Sequence, residues 1–254
     1  MAPSSEKRYG LLGRNIAYSF SRGYFAKKFE APQWQHCRYD NYDLPEAAQI
    51  KPLLQTQPYL NGLNVTVPYK EAVIPFLDDL DPIARQIGAV NTIQWLPDGT
   101  TLGHNTDWYG FQQALAPHLA PHHQRALVLG TGGAAKAIRY TLQHLGIPYT
   151  LVSRSGEEGT LSYAEITPEI MHAHTLVIQC TPLGTFPEVE ACPPIPYSHF
   201  TPLHLAFDLV YNPPKTRFLT LAEAQGATIE NGYSMLVHQA EKAWEIWNST
   251  NVKP

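Results

Sequence analysis

The chain has 254 residues, which is enough for one large domain or two domains of ordinary size. With 44% hydrophobic and 16% charged residues and a formal net charge of −4, its composition is that of a soluble globular protein, and the charge argues against nucleic-acid binding. The three cysteines form neither a zinc-binding pattern nor a disulfide framework, which suggests free thiols in a reducing compartment. We find no signal-peptide core and no run of membrane-spanning length, so we expect a cytoplasmic protein that binds no membrane.

Two serines follow the first predicted strand, 9–12. Ser19 and Ser21 precede a predicted helix, one face of which carries Tyr24, Phe25 and Phe29. Ser21 could be the N-cap of that helix, because its side-chain oxygen can accept a hydrogen bond from a backbone N–H of the first turn. Alternatively, two serines one residue apart at a strand-to-helix turn could present two hydroxyls to a polar ligand.

Polar side chains also surround the end of a later strand. After a predicted strand over 35–39 and a helix over 45–57, Val65 and Val67 alternate with Asn64 and Thr66, which indicates a strand with one polar face. Pro68 ends that strand, and Lys70 begins a helical stretch to about residue 77. In open α/β sheets ligands bind at the carboxyl ends of strands. Lys70 is therefore a candidate ligand-binding residue, although a lysine taken alone is more often a solvated surface residue.

The next segment combines short elements with a polar turn. We predict a helix over 83–87, strands over 88–95 and 100–104, and a helix over 108–115. Asp107 lies just before the last of these helices and could act as its cap. A linker over 117–124 follows, and its histidines, which have no metal-ligand spacing, are expected to be solvated: His118, His122 and His123.

A glycine-rich turn divides the chain. A buried strand over 126–129 leads into Gly130-Thr-Gly132-Gly-Ala-Ala135, and a helix over 134–145 follows. This is the G-x-G-x-x-A spacing of a dinucleotide-binding fold. Gly130 permits the sharp turn, Gly132 lets backbone N–H groups approach a pyrophosphate, and Ala135 lets the helix lie close to its strand. The positive end of the helix dipole then faces the phosphates.

Alternating strands and helices follow this turn, as a doubly wound sheet requires. We predict strands over 149–153, 176–180, 205–210 and 227–230, and helices over 215–225 and 233–247. The apolar stripe of the last helix is expected to be core packing, and it consists of Tyr233, Leu236, Val237, Ala240, Trp244 and Trp247. Gln239 lies off that stripe.

Segments along nearly the whole chain resemble the shikimate dehydrogenase family and occur in the family's order. They are Ser19-Phe-Ser21, Asn64-Val-Thr66-Val-Pro-Tyr-Lys70, Gly88-Ala-Val-Asn91-Thr, Gly103-His-Asn-Thr-Asp107, Gly130-Thr-Gly-Gly-Ala134, Asp208-Leu-Val-Tyr211 and Gly232-Tyr-Ser-Met-Leu-Val-His-Gln239. The chain departs from the family's pattern at a few positions. Tyr18 stands where the family usually has His and Arg22 where it has Pro. The family's Asn-Arg-Thr is here Ser153-Arg154-Ser155, and Gly156-Glu157-Glu158 replaces its second basic residue.

The resemblance implies an α/β fold with two domains. Residues 1–105 would form a mixed-sheet substrate-binding and catalytic domain, which the C-terminal helix, 233–254, rejoins. Residues 106–232 would form a Rossmann-like, doubly wound NADP-binding domain, with the active site in the cleft between the two. The implied reaction is the reversible, NADPH-dependent reduction of 3-dehydroshikimate to shikimate in aromatic amino acid biosynthesis. The implied assembly is a monomer or homodimer.

The resemblance also implies roles for individual residues. Lys70 and Asp107 match the family's catalytic pair. The substrate contacts would be Ser19, Ser21, Asn64, Thr66, Asn91, Asp107, Tyr211 and Gln239. The cofactor contacts would be Gly130, Thr131, Gly132, Gly133, Ala134, Ser153, Arg154, Ser155, Thr181, Leu209 and Gly232. We expect no metal, because reduction of a ketone needs a proton donor near the developing negative charge, which a lysine beside a carboxylate can supply.

Two alternatives to this function stay open. One is a quinate/shikimate dehydrogenase that uses NAD. An NAD-specific site normally has Asp or Glu at the end of its second strand, whereas Arg154 here favours the 2′-phosphate of NADP, unless Glu157 or Glu158 folds back toward the ribose. The other is a catalytically silent nucleotide-binding regulator on the same fold. The presence of both Lys70 and Asp107 argues against that alternative.

Overall fold

The computed structural model describes residues 6–17, 19–56, 60–156 and 159–249. The departures from the family's pattern at Tyr18, Glu157 and Glu158 therefore lie outside the described residues. The chain divides into two compact units: a first unit that runs to Thr106 and resumes at Ala240, and a second unit, Asp107–Gln239. Each unit has its own sheet, and each is described separately below.

The first unit is built on a mixed six-stranded sheet. Its strands are β1 (Lys7–Gly13), β2 (Cys37–Asp43), β3 (Leu60–Val65), β4 (Asp79–Leu80), β5 (Thr92–Trp95) and β6 (Thr101–His104), in the order β2-β1-β3-β5-β6-β4. Its helices are α1 (Phe20–Phe29), α2 (Ile50–Thr56), α3 (Tyr69–Ala72) and α4 (Pro82–Ile87). Strand β1 is parallel to β2 and β3, and β5 is antiparallel to both β3 and β6. The carboxyl ends of β1, β3 and β6 therefore share one sheet edge with the amino end of β5.

An aromatic cluster forms much of the core on one face of this sheet. Tyr9 on β1 and Tyr39 on β2 are paired across the two strands, and both side chains are buried in this cluster with Phe25 of α1. The cluster is completed by Trp244 and Trp247, which lie on α9 (Tyr233–Asn248). The close approach of Trp247 requires a glycine on β3. A Cβ atom on Gly62 would lie 2.3 Å from Trp247 Nε1, which donates a hydrogen bond to the Ile93 carbonyl at 3.0 Å.

The second unit is built on a six-stranded sheet in which every pair of neighbours is parallel. Its strands are β7 (Ala126–Leu129), β8 (Tyr149–Ser153), β9 (Thr160–Ser162), β10 (Leu176–Gln179), β11 (Leu205–Asp208) and β12 (Thr228–Glu230), in the order β12-β11-β10-β7-β8-β9. Its helices are α5 (Asp107–Leu115), α6 (Gly133–His144), α7 (Pro168–Ala173) and α8 (Arg217–Glu223), together with the first residues of α9.

Both faces of this sheet are covered, as the predicted doubly wound fold requires. Alternate residues of β7 point to opposite faces: Ala126 and Val128 pack with residues of α5 and α6, whereas Leu127 and Leu129 pack with residues of α7 and α8. Strands continuously buried on both faces are typical of parallel sheets. The predicted fold class is therefore confirmed.

Several details differ from the sequence-based expectation. Strand β2 starts later and runs longer than predicted. The predicted helix over 70–77 is instead the single turn α3, followed by a 3₁₀ turn at Ile74–Phe76. The elements β4, β9 and α7 were not predicted. Tyr233, expected in the core, is 54% exposed, because α9 buries Met235 and Gln239 instead. His123, expected to be solvated, is buried and accepts a hydrogen bond from the Ala120 backbone N–H at 3.0 Å through Nδ1.

Burial of three histidines in the second unit predicts a loss of stability in acid. Burial lowers the pKa values of His123, His174 and His204. His204 illustrates the cause, because Nδ1 accepts from the Thr201 N–H at 3.1 Å while Nε2 donates to the Met171 carbonyl at 3.0 Å. An added proton would place two N–H groups against each other. As the pH falls below about 6.5, the unfolded chain takes up protons that the folded chain resists, so the free energy of unfolding falls.

We therefore expect the Tm to fall between about pH 7.5 and pH 5.5, and to fall less steeply in His204→Asn. Each histidine that stays neutral in the folded chain lowers the free energy of unfolding by about 1 kcal/mol across this pH range. That corresponds to about 2–4 °C in Tm for a unit of this size. Thermal melts at constant ionic strength measure the slope. The matched control is His144→Asn, because His144 is exposed at the end of α6. Equal slopes in the wild type and both variants would contradict the prediction.

Candidate active site

Four polar residues form a buried hydrogen-bonded group at one edge of the first sheet, which we name the polar edge: Asn64, Asn91, Thr92 and Thr106. Asn64 and Asn91 are each only 3% exposed. Asn64 Nδ2 donates to the Asn91 carbonyl at 3.3 Å and to Thr92 Oγ1 at 3.2 Å. Asn91 in turn donates to Thr106 Oγ1 at 2.9 Å and accepts from the Thr106 backbone N–H at 2.6 Å. The ends of β3, β5 and β6 are thus joined by side chains that can hydrogen-bond hydroxyl groups.

The backbone that carries Lys70 is anchored next to this group. The hydroxyl of its neighbour, Tyr69, is tied to the Leu44 carbonyl by a 2.6 Å hydrogen bond, and the Tyr69 N–H donates to the Thr66 carbonyl at 2.9 Å. The Lys70 carbonyl accepts from the Val90 N–H at 2.7 Å, directly before Asn91 in the chain. The Lys70 side chain is half-buried. A short, well-held turn therefore brings a lysine to the polar edge.

The two predicted serine hydroxyls lie at the start of α1. The helix begins at Phe20, so that Ser19 occupies the N-cap position, but its side chain makes no capping hydrogen bond. The expectation that Ser21 is the N-cap is therefore wrong, since Ser21 lies in the first turn. Both serines are half-buried. Thr66, which follows β3, lies close to the neighbouring strand β1: a Cβ atom on Gly13 would be 2.5 Å from Thr66 Cγ2.

The remaining predicted substrate contacts belong to the second unit. Asp107 is 5% exposed and begins α5, while Gln239 is 6% exposed on α9 and donates to the Leu236 carbonyl at 3.0 Å. These two helices lie close together, because a Cβ atom on Gly110 would be 2.9 Å from Gln239 Cβ. Tyr211 is half-buried in the segment after β11.

That segment is held by a buried carboxylate at the end of β11. Asp208 accepts hydrogen bonds from Thr216 Oγ1 at 2.6 Å and from the Val210 N–H at 2.9 Å. Burial raises its pKa to about 7, although both hydrogen bonds oppose this effect. Gly232 is packed against the same segment so closely that a Cβ atom would lie 2.1 Å from the Leu209 carbonyl oxygen. Leu209 and Gly232, both predicted cofactor contacts, are therefore adjacent.

The glycine-rich turn lies where the strand order of the second sheet reverses. Strands β7 and β10 are neighbours in the sheet. From β7 the chain continues to β8 on one side, and from β10 it continues to β11 on the other side. Ligand-binding crevices usually lie at such a point. Gly130 has φ +108°, and a Cβ atom there would lie 2.9 Å from Thr181 Cγ2. Both the backbone conformation and the close approach therefore require glycine at this position.

A cavity of about 570 Å³ opens at this switch point, and it is lined by Gly130, Gly132, Ser153, Arg154, Thr181 and Leu183, among others. Gly132 is the N-cap of α6, and a Cβ atom there would meet no other atom within 4 Å. Packing therefore does not demand this glycine, which instead leaves open space at the amino end of a helix, where a pyrophosphate binds favourably. Thr131 lies in the same turn, and Gly133 and Ala134 are the first two residues of α6. An open helix terminus beside a cavity is the arrangement that suits a phosphate-bearing ligand.

The end of β8 supplies the polar residues of this cavity. Ser153 Oγ lies 3.0 Å from Thr160 Oγ1 and accepts from the Gly156 N–H at 3.0 Å, so the chain folds back directly after the strand. Arg154 and Ser155 are exposed. Sequence reasoning missed Tyr163, which also lines the cavity. Burial raises the Tyr163 pKa, and the nearby Arg154 guanidinium partly offsets that effect. No motif marks Tyr163, because it follows the unpredicted strand β9.

Among the described residues, no group of three or more His, Cys, Asp and Glu side chains could hold a metal ion. Within the same residues, no helix has both the length and the apolar character needed to cross a membrane.

Comparison with known proteins agrees with this geometry. Residues 11–93 match the family described as the shikimate dehydrogenase substrate binding domain. A shikimate dehydrogenase (NADP(+)) from Symbiobacterium thermophilum is 36% identical over 260 residues, which cover 94% of this chain and 87% of that protein. The structure of shikimate 5-dehydrogenase from Thermus thermophilus, in complex with NADP(H) and shikimate, has a TM-score of 0.84 and 32% identity, and the match covers 95% of this chain and 93% of that chain.

A second structural relative bears on the choice of substrate and cofactor. Quinate dehydrogenase from Corynebacterium glutamicum, in complex with NAD, has a TM-score of 0.84 and 28% identity, with 96% of this chain and 94% of that chain covered. Together with the extent of the sequence match to the Symbiobacterium protein, these similarities confirm the resemblance on which the sequence analysis relied. The chain belongs to the shikimate dehydrogenase family.

Proposed function

We propose that this protein catalyses the reversible, NADPH-dependent reduction of 3-dehydroshikimate to shikimate in aromatic amino acid biosynthesis. The observation that carries the proposal is the polar edge with Lys70 anchored beside it, in a chain of this family. The polar edge offers the side-chain amides of Asn64 and Asn91 and the hydroxyl of Thr106. These groups can form hydrogen bonds with the ring oxygens of a polyhydroxylated substrate. A regulator that only binds nucleotide would need neither this group nor a lysine next to it.

We assign the two functions of such an enzyme to separate parts of the chain. Residues 1–105, with the C-terminal helix 233–254, are proposed to bind the substrate and to carry out catalysis, and residues 106–232 to bind NADP. The bounds of the two compact units are similar to those of these proposed domains, since the chain divides after Thr106 and after Gln239. The second division falls inside α9, since the amino-terminal part of that helix packs in the second unit through Met235 and Gln239.

Lys70 is the proposed proton donor. Reduction of a ketone develops negative charge on its oxygen, which a positioned ammonium group can stabilise and protonate. Asp107 is the other member of the proposed pair, because a carboxylate near the reacting oxygen favours the charged, proton-donating form of a lysine. NADPH, when bound, supplies the hydride. We propose that Ser19 and Ser21 bond the substrate carboxylate, and that Asn64, Thr66, Asn91, Tyr211 and Gln239 bond its other oxygens.

The glycine-rich turn and the end of β8 are the proposed NADP contacts. Gly130, Thr131, Gly132, Gly133 and Ala134 would bind the pyrophosphate, since they surround the open amino end of α6. The ribose 2′-phosphate would be bound by Ser153, Arg154 and Ser155, and the rest of the cofactor would contact Thr181, Leu209 and Gly232. All of these residues belong to the second unit.

We further infer a cytoplasmic enzyme that is a monomer or homodimer and binds neither nucleic acid nor membrane. The three cysteines support a reducing compartment, because Cys37, Cys180 and Cys192 are all free. Burial raises the pKa of the Cys180 thiol, which keeps it unreactive.

A steady-state assay tests the proposed function. We expect the purified protein to reduce NADP⁺ with shikimate as substrate, and to be at least about tenfold less efficient with quinate or with NAD⁺. The similarity to quinate dehydrogenase in complex with NAD makes a quinate/shikimate dehydrogenase the second candidate. Comparable kcat/KM values for quinate with NAD⁺ would favour that candidate, and no turnover of either substrate would leave only a binding function.

A further inference from the structure

A buried tyrosine that carries no assigned role is bonded to the polar edge. Tyr39 lies on β2 and is 8% exposed, and its hydroxyl donates to Asn64 Oδ1 at 2.7 Å. The Tyr39 ring is stacked on Phe25, with centroids 4.6 Å apart and an interplanar angle of 13°. The ring is therefore fixed by packing, and its hydroxyl is presented to a single side chain of the candidate active site.

Among the described residues, this is the shortest hydrogen bond that the Asn64 side chain makes. The two bonds from Asn64 Nδ2, to the Asn91 carbonyl and Thr92 Oγ1, are 3.3 and 3.2 Å long, near the outer limit for such bonds. The 2.7 Å bond from Tyr39 is well inside the usual range. Without the phenolic hydroxyl, the hydrogen bonds to described residues that keep the Asn64 amide in its plane would be the two long ones.

The Tyr39 hydroxyl also lies beside Ser21. Burial raises the Tyr39 pKa, and hydrogen bonding from Ser21 partly offsets this effect. Tyr39 thus stands between the start of α1 and the end of β3, next to two residues that we propose as substrate contacts.

We propose that Tyr39 is a positioning residue that fixes the Asn64 side chain in the orientation that binds the substrate. The inference rests on the proposed function. Tyr39 is buried beneath Asn64 and acts through it, so its loss should weaken substrate binding more than it slows the chemical step. Cofactor binding, which we assign to the second unit, should not change.

The test is Tyr39→Phe, which removes the hydroxyl and keeps the stacked ring. Tyr9→Phe is a closely matched control. Tyr9 is paired with Tyr39 across β1 and β2, it lies in the same aromatic cluster at 0% exposure, and its buried hydroxyl has no hydrogen-bond partner among the described residues. Each variant loses one buried phenolic oxygen from neighbouring positions of one core. Only Tyr39→Phe loses a bond to the candidate active site.

We expect Tyr39→Phe to raise the KM for shikimate by about three- to tenfold, with kcat within about twofold and the KM for NADP⁺ unchanged. Tyr9→Phe should leave all three constants unchanged. In an Asn64→Ala background, Tyr39→Phe should have no further effect on KM, since the group it positions is gone. The rise in Tm on adding shikimate, measured for each variant, reports binding independently of turnover and shows that each variant is folded.

Three outcomes would overturn the inference. Tyr39→Phe and Tyr9→Phe could change KM equally, Tyr39→Phe could leave KM unchanged, or its effect could be undiminished in the Asn64→Ala background. If the wild type oxidises shikimate, each of these outcomes leaves the proposed function intact. A wild type that neither turns over shikimate nor is stabilised by it would overturn the proposed function, and this inference with it.

Discussion

Replacing Lys70 by alanine is expected to lower kcat for shikimate oxidation by about 10²- to 10⁴-fold, the usual contribution of a positioned general acid or base. The KM for shikimate should stay within about threefold, because a proton donor acts mainly in the transition state while the polar edge still binds the ring oxygens. The anchoring of Lys70 supports this expectation. Its backbone carbonyl is bonded to Val90, and the neighbouring Tyr69 hydroxyl to Leu44, so alanine should leave the turn in place.

Steady-state kinetics with shikimate and NADP⁺ measure both constants. Lys51→Ala is the matched control, since Lys51 is exposed on α2 in the same unit and the variant loses the same charge. Near-wild-type kcat in Lys70→Ala would show that Lys70 is a surface lysine without a catalytic role. An equal loss of kcat in Lys51→Ala would show that the effect comes from the change in net charge.

Features that depend on residues close in sequence could be predicted from the sequence. The strand over 149–153 has the predicted bounds, and β7 begins and ends as its continuous apolar run indicated. Gly130 was expected to permit a sharp turn, and it has a positive φ and a neighbour that excludes a side chain. Local periodicity and turn chemistry determine these features, so a single sequence is sufficient.

Features that depend on partners far along the chain could not be predicted. Tyr39 was expected only to end a strand, because nothing in β2 shows that its hydroxyl meets Asn64 on β3. His123 stands between His122 and Gln124, two polar residues that give no indication of its burial. Tyr233 fits the helical stripe of α9 by spacing, yet the face that α9 buries is set by what packs against it. The assigned roles of the site residues remain predictions, since geometry alone does not test them.

The positions of the polar residues were predictable for a different reason. Asn64, Asn91 and Thr106 lie in three separate segments, and the mixed strand order places the ends of those segments at one edge. The sequence showed polar residues at strand ends, and the family resemblance grouped them. The hydrogen bonds that join them, including the part played by Thr92, required the structure.

The second large effect is expected in the choice of cofactor. We predict at least about a tenfold preference for NADP⁺ over NAD⁺ in kcat/KM, equivalent to about 1.4 kcal/mol or more, and its near-complete loss in Arg154→Ala. Arg154 is exposed at the rim of the cavity in the second unit, directly after β8. The adjoining Ser153 hydroxyl folds the chain back by bonding the Gly156 N–H, so the end of the strand presents an arginine and two serines. A guanidinium can bind a phosphate through two parallel hydrogen bonds, whereas NAD carries no phosphate at that position.

Kinetics with both cofactors measure the preference in the wild type, in Arg154→Ala and in a charge-matched control, Arg125→Ala. Arg125 is exposed and precedes β7, so it lies at the opposite end of the parallel sheet from the residues that follow β7 and β8. Arg154→Ala should lower kcat/KM for NADP⁺ and leave kcat/KM for NAD⁺ nearly unchanged. Arg125→Ala should change neither value. Because the interaction is between an exposed arginine and a phosphate, the wild-type preference should also shrink as the salt concentration rises. A wild type that prefers NAD⁺ would contradict the assignment of Arg154 and favour the quinate/shikimate alternative, in which a carboxylate such as Glu157 or Glu158 bonds the ribose 2′-hydroxyl.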